Sequence, residues 1–239
     1  MSTRSYAAWQ TCLPGNLPTL FYAFDESENQ TERVAAFRIT DQVELNNLLL
    51  SKPERLRIHL GADPGFDFNT VPSSPAVEFY FEGLTKGGTN ITLAFEWDPN
   101  PPFLEDGTYG PNSGPDEIPP DGAILFAKAW METPYNMIGD AFEGYDSKNL
   151  VQRVKSYTFQ EDETAALLSN LEKGLASNET HVCLYLGNSI PVSGHPFGFR
   201  PVIEIRPITN SRKTKTLNGD GSGSSFFDFS SPCPPVCSE

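Results

Sequence analysis

The sequence predicts an α+β, β-rich fold made of two similar strand-strand-helix-strand-strand units that pack with pseudo-twofold symmetry. Two short alternating segments that each end in glycine, 58–61 and 184–187, are the first observation behind this prediction. The second is an equal spacing: Val77 and Ile203 each lie sixteen residues after that glycine, with a proline and a glutamate at matching positions. Self-similarity at a fixed spacing indicates an internal repeat, and two copies of one unit commonly bury the apolar faces that each leaves open.

Each predicted unit contains one helix between short strands. In the first unit, leucines at helical spacing begin at Leu45, behind Thr40 and Asp41, which suit a helix N-cap. In the second unit, a longer leucine stripe begins at Leu167 behind an acidic first turn, which favours a helix N-terminus. Apolar and alternating segments predict strands at 20–24, 34–39, 89–97, 124–130 and 154–159.

These elements divide the chain into a body, a connector and a tail. We expect residues 1–208 to form a single globular body from two repeats, at about 19–97 and 123–208, joined by an acidic, proline-rich loop at 98–122. Residues 209–239 are rich in Ser, Gly and Lys at their start, which predicts a flexible tail.

Charge and apolar patterning restrict the classes of partner. The 239 residues carry 31 acidic and 17 basic side chains, a formal net charge of −14, which repels phosphate backbones and anionic lipid surfaces. No segment approaches the roughly 20 apolar residues of a membrane-spanning helix, and the N-terminal residues lack the apolar run of a secretory signal. We therefore expect a soluble, cytoplasmic protein that binds neither nucleic acid nor membranes, with its four cysteines reduced.

The connector is the first candidate for a functional segment. It holds seven prolines, four glycines and six acidic residues, and no Lys or Arg. Prolines at this density prevent regular strand pairing, and loops longer than about 12–15 residues are often functional. Asp106, Asp116 and Glu117 are weak candidates for Ca²⁺ ligands, although their spacing does not fit an EF-hand loop. The sequence otherwise gives no metal and no cofactor.

Aromatic residues mark the other candidate contact elements. Phe226, Phe227 and Phe229 interrupt the polar tail and could dock into a groove of this chain, of a second copy or of a partner. Trp97 directly precedes the connector and Tyr109 lies within it, and we take both as further binding candidates. Whether Cys233 and Cys237, also in the tail, are paired stays open.

The histidines offer few catalytic options. His195 lies between glycines in a predicted loop, where the backbone can approach a ligand, and is a weak catalytic candidate. His59 alternates with apolar residues and is predicted on the polar face of its strand, while His181 is predicted at a solvated strand end.

From these observations we expect a non-enzymatic binding, scaffold or self-assembly protein. Its acidic loop and aromatic tail would be the contact elements, and its partner would be another protein or a second copy. The alternative is a hydrolase or carbohydrate-active enzyme whose site lies between the two halves, with His195, connector carboxylates and the tryptophans Trp97 and Trp130. A third hypothesis is ligand binding assisted by calcium.

Overall fold

The computed structural model describes residues 2–25, 30–69, 72–87, 89–101, 118, 120–145, 150–177, 179–189, 197–208, 225–228 and 231–233. Helices alternate with strands, and every strand pair is antiparallel. The predicted α+β, β-rich class is therefore confirmed. Within the described residues, no helix is both long enough and apolar enough to cross a membrane.

The elements follow one another in this order along the chain. The α-helices are α1 (Thr3–Thr11), α2 (Gln42–Leu50), α3 (Pro120–Glu132), α4 (Ile138–Phe142) and α5 (Glu161–Ser177), and 3₁₀ helices occupy Pro14–Phe21 and Tyr135–Met137. The strands before α3 are β1 (Tyr22–Asp25), β2 (Gln30–Arg33), β3 (Ala36–Ile39), β4 (Arg55–Ala62), β5 (Val77–Leu84), β6 (Ile91–Ala94) and β7 (Glu96–Asp98). Those after it are β8 (Glu143–Tyr145), β9 (Val151–Arg153), β10 (Ser156–Thr158), β11 (Glu179–Asn188), β12 (Phe199–Ile208), β13 (Ser225–Asp228) and β14 (Ser231–Cys233).

Two five-stranded sheets organise the described chain. The first sheet has the order β14-β10-β4-β5-β6 and the second the order β13-β12-β11-β3-β7, while β1-β2 and β8-β9 form separate hairpins. Each sheet combines strands from before and after α3, because β3 pairs with β11 and β10 pairs with β4. The two halves of the sequence therefore contribute to both sheets.

The two predicted helices form where their leucine stripes indicate. The Asp41 carboxylate accepts hydrogen bonds from the backbone N–H groups of Val43 and Glu44 and so caps α2. Helix α5 begins with the three acidic residues at 161–163, and its Leu167 and Leu171 are buried in the core.

Helix α3 corrects the strand predicted at 124–130 and the end of the predicted loop at 98–122. Ala123, Ala127 and Trp130 are its buried residues, at a spacing of i, i+4 and i+7. This spacing is that of a helix face, and Pro120 at the first position has a backbone φ that suits a helix start. Because nearly every residue at 124–130 is apolar, the sequence there shows no helical spacing of apolar and polar residues.

Two further strand predictions are corrected in their bounds. The segment predicted as a strand at 20–24 ends a 3₁₀ helix that carries Pro14 and Pro18, and only its later residues enter β1. The strand predicted at 89–97 is divided at Phe95 into β6 of the first sheet and β7 of the second. The Phe95 side chain is buried at the point where the chain passes from the edge of one sheet to the edge of the other.

The repeated glycines lie within strands, one residue before the strand ends, and serve helix packing. A Cβ at Gly61 would lie 2.2 Å from the hydroxyl oxygen of Ser5 in α1. A Cβ at Gly187 would lie 2.9 Å from the Cβ of Phe126 in α3 and 2.4 Å from the backbone oxygen of Arg200. Each glycine therefore allows a helix to approach the strand face that points away from the core.

The core lies between the inner faces of the two sheets. Strand β4 buries every second residue, beginning with Leu56, and β5 does the same from Val77, so each sends one face to the core. Phe37 of the second sheet meets Phe79 of the first with ring centroids 5.0 Å apart. The cluster also takes in Leu45 of α2 and leucines of α5.

The segment predicted as a flexible tail contributes two strands. β13 pairs with β12 at one edge of the second sheet, and β14 pairs with β10 at one edge of the first. Phe227 is fully buried in the core. The composition of 209–224, which lies outside the described residues, indicated a linker, but Phe227 beyond it buries its ring in the core and so stabilises β13.

Candidate functional site

Several predicted site residues lie outside the described residues. His195, Tyr109, Phe229, Cys237 and the candidate calcium ligands Asp106, Asp116 and Glu117 are in this group. Phe226 lies in β13, opposite Glu204 of β12.

The described binding candidates are not brought together. Trp97 lies in β7 and Phe227 in β13, which are the opposite edges of the second sheet. Four strand spacings of about 4.8 Å place these edges about 19 Å apart. Trp97 is partly buried against the core, and Trp130, predicted as an exposed wall of a sugar site, is fully buried. These aromatic residues therefore do not line one shared pocket.

Aromatic rings pack against one another in the interior of the described chain. Phe21 and Phe142 stack with centroids 4.9 Å apart and planes 10° apart. Trp9 meets Phe142 edge-on at 5.3 Å, and Trp130 meets Phe21 edge-on at 5.1 Å. Each indole donates a hydrogen bond to a backbone carbonyl, that of Val154 for Trp9 and that of Val34 for Trp130.

The outer face of β4 and β5 carries the main cluster of half-buried polar side chains in the described chain. The strand register places His59 opposite Tyr80 and Gly61 opposite Glu78. Because these residues alternate with the apolar ones that enter the core, they all point away from it. The prediction that His59 lies on the polar face is confirmed.

His59 and Glu82 form the closest titratable pair on this face. The His59 Nε2 atom lies 2.6 Å from the Glu82 Oε2 atom, and each side chain is only 16% exposed. The hydrogen bond from His59 lowers the pKa of Glu82, against the effect of burial, and the nearby charge of Arg57 lowers it further. Glu82 is thereby held in its anionic form.

Glu78 organises the other end of the same face. The Tyr80 hydroxyl donates to the Glu78 Oε2 atom at 2.7 Å, and the Ser5 hydroxyl of α1 donates to the same oxygen. Burial and the bond to Glu78 raise the pKa of Tyr80, so the phenol stays protonated. These bonds attach α1 to the sheet.

The two glutamates of this face are farther apart than a pair of glycosidase carboxylates. Glu78 and Glu82 are four residues apart on one strand, which separates them by about 13 Å. Paired glycosidase carboxylates lie about 5–9.5 Å apart. Within the part of the chain that the structure describes, no three His, Cys, Asp or Glu side chains are placed to hold a metal ion.

A comparable face of the second sheet is closed by α3. There, Tyr185 donates to the Glu204 Oε2 atom at 2.9 Å, and Arg206 pairs with the same carboxylate. Burial, then the charge of Glu204, raises the pKa of Tyr185. Cys183 is buried on the same face, and burial raises the pKa of its thiol to about 12.

His181 is less solvated than the sequence indicated. Its side chain is 15% exposed and its Nε2 atom lies 3.2 Å from the Glu179 carboxylate. It lies within β11, directly after that strand's first two residues. The pairing of β11 with β12 extends to this end and shields the ring.

Sequence reasoning missed the His59–Glu82 pair and a groove beside β6. The signal for the pair is the β4-β5 register, which a hairpin alignment of two alternating strands could have suggested but not fixed. The groove, of about 530 Å³, lies between α2 and β6 and is lined by Glu44, Asn47, Leu50, Ser51, Ile91, Thr92 and Leu93. It depends on the position of a helix relative to a sheet edge and has no sequence pattern of its own.

Comparison of the chain with protein-family models, with curated proteins and with solved structures gives no match.

Proposed function

We propose that this protein is a non-enzymatic binding and self-assembly protein whose docking element is its C-terminal segment. The observation that supports this function is the placement of β13 and β14. Each adds to the edge of a different five-stranded sheet, and Phe227 inserts fully into the core. Addition of an extended segment to a sheet edge is a common mode of protein recognition.

The same bonds can form between two copies. A segment that pairs with edges of its own sheets can pair with the same edges of a second copy, which is the principle of domain exchange. The acidic connector would be a second contact element, for a partner with a basic surface.

We further propose that the body is a duplicated unit with pseudo-twofold symmetry. Matching contacts support this: the N–H of Val34 bonds to the carbonyl of Phe21, and the N–H of Val154 bonds to that of Phe142, both at 2.9 Å. The pairings β3-β11 and β10-β4 support an arrangement in which each unit lends a strand to the other. In this proposal, residues 1–208 fold as a single body.

The cytoplasm remains the proposed compartment. Within the described chain, Cys12 and Cys183 are free thiols, which suits a reducing environment.

The experiment deletes residues 209–239 and restores the tail as a separate peptide. The mass of the full chain, measured by light scattering over a range of concentrations, should exceed that of one copy and fall to one copy after deletion. A labelled peptide of residues 221–239 should bind the truncated chain, and the same peptide with Phe227→Asp should not. A full chain that stays monomeric would refute self-assembly, and equal binding of both peptides would refute docking through Phe227.

A further inference from the structure

The free edge of β6 differs from the other edges of the two five-stranded sheets. Within the described residues, each of the other three edge strands carries a charge or a proline: Glu96 and Asp98 in β7, Asp228 in β13 and Pro232 in β14. Such residues protect a sheet edge against pairing with another chain. β6 reads Ile-Thr-Leu-Ala and has neither. β6 therefore has neither of these two protections.

The backbone groups available on this edge follow from the register. The N–H of Phe95 bonds to the carbonyl of Phe79 at 3.0 Å, so these two residues form a hydrogen-bonded pair. Such pairs alternate along an antiparallel ladder, which makes Leu93 and Phe81 the next hydrogen-bonded pair. The backbone N–H and C=O groups of Thr92 therefore point away from β5, toward the free edge.

Helix α2 supplies the opposite wall of the groove beside this edge. Its residues there are Glu44, Asn47, Leu50 and Ser51, and they face Ile91, Thr92 and Leu93 of β6. Leu50 is 77% exposed and is the apolar side chain of this wall. The groove therefore offers an apolar contact at Leu50, Ile91 and Leu93 among polar side chains.

Charge indicates which extended segment fits. Glu44 is the charged residue among those that line the groove, and the whole chain carries −14. A segment with lysine or arginine would be attracted to this carboxylate.

We propose that β6 and the adjoining groove bind an extended peptide segment of a partner protein, with alternating apolar residues and at least one basic residue. The peptide adds as a further strand to the first sheet through the outward backbone groups of Thr92. Its apolar side chains, which recur at every second residue, enter the groove against Leu50 and Leu93. Its basic residue pairs with Glu44. This edge is opposite to the one that β14 occupies, so the site is separate from tail docking.

The test uses a fluorescein-labelled peptide that alternates threonine and valine between terminal lysines (Lys-Thr-Val-Thr-Val-Thr-Lys), and a matched peptide with terminal glutamates. Thr92→Pro removes one outward N–H and no bond of the β5-β6 ladder, so the fold should persist by circular dichroism. Thr92→Ala is the matched control, since it keeps the N–H. Fluorescence anisotropy should show that Thr92→Pro weakens binding of the lysine peptide by about ten-fold, the upper effect of one hydrogen bond, and that Thr92→Ala leaves it unchanged.

Two further variants test the groove and the charge. Glu44→Lys should weaken the lysine peptide by about five-fold, the upper effect of an exposed ion pair, and should not weaken the glutamate peptide. Leu50→Asn replaces an exposed apolar side chain without adding a charge and should weaken both peptides, which keeps the test decisive if Thr92→Pro does not fold. Equal binding to all variants, or no binding of either peptide at millimolar concentration, would overturn the proposal. A wild-type dimer in sedimentation that Thr92→Pro converts to monomer would also overturn it, in favour of a second copy at this edge.

Discussion

Replacement of Phe227 by alanine tests whether the C-terminal segment is an integral part of the fold. Phe227 is fully buried and belongs to the main core cluster. Removal of a buried phenylalanine ring costs about 3–5 kcal/mol, from lost burial and from the cavity that remains. Against a typical total of about 5–15 kcal/mol for a domain, this loss is large enough to measure by urea unfolding.

The matched control is Phe68→Ala, because the Phe68 side chain is 41% exposed and lies far from Phe227 in the sequence. Surface substitutions away from special features usually change stability by about 0.5 kcal/mol or less. The urea midpoint of Phe227→Ala should therefore fall well below that of Phe68→Ala, while the dependence of the unfolding free energy on urea concentration stays the same. Equal midpoints for the two variants would refute the placement of Phe227 in the core.

Three other predictions follow from local contacts. The pKa of Glu82 is lowered in the folded chain, so the contribution of Glu82 to stability is present above its unfolded pKa and is lost as the pH falls through the lowered folded value. The difference in melting temperature between wild type and Glu82→Gln should therefore shrink from pH 7 to pH 3. A constant difference would contradict this prediction. Burial raises the pKa of Cys183 to about 12, so a thiol reagent at pH 8 should label half-buried Cys12 before Cys183. The measurement uses a variant in which the two tail cysteines are replaced by serine. Equal labelling rates would contradict the burial of Cys183. Gly187→Ala should lower the free energy of unfolding, measured in urea, by about 1–3 kcal/mol, because the new Cβ would meet the backbone oxygen of Arg200. Gly61→Ala should lower it less, because the Ser5 side chain that its Cβ would meet can move. A larger loss for Gly61→Ala than for Gly187→Ala would contradict this.

Local patterns in the sequence account for the helices α2 and α5. In both, a leucine stripe of helical period coincides with a cap or an acidic first turn. These signals act within a few residues, so no knowledge of the rest of the fold is required. The same holds for the alternation of β4, which identified the polar face of His59.

Two of the wrongly predicted segments failed for different reasons. The run at 124–130 is apolar at nearly every position, and a short apolar run does not distinguish a buried helix from a strand. The stretch at 89–97 alternates continuously, but its two halves belong to different sheets because Phe95 enters the core. Alternation identifies which residues share a face and does not identify the partner strand.

The candidate binding features depended on contacts between distant segments. His59 meets Glu82 through the β4-β5 register, and the groove beside β6 exists because α2 packs next to a free edge. The order of Phe227 likewise comes from pairing of β13 with β12, across a segment whose composition resembles a linker.

The sequence by itself determined the α+β class, the two leucine-striped helices, the strong negative charge and the polar face of β4. Each of these is a property of composition or of periodicity over one element, which is fixed by neighbours along the chain. Only the tertiary structure decided which strands pair, that α3 is a helix over the second sheet, that aromatic rings meet in the interior and that β6 is an edge strand among the described residues. These depend on packing between residues far apart in sequence, where the lowest free energy is set by the burial of shared surface and not by local preference.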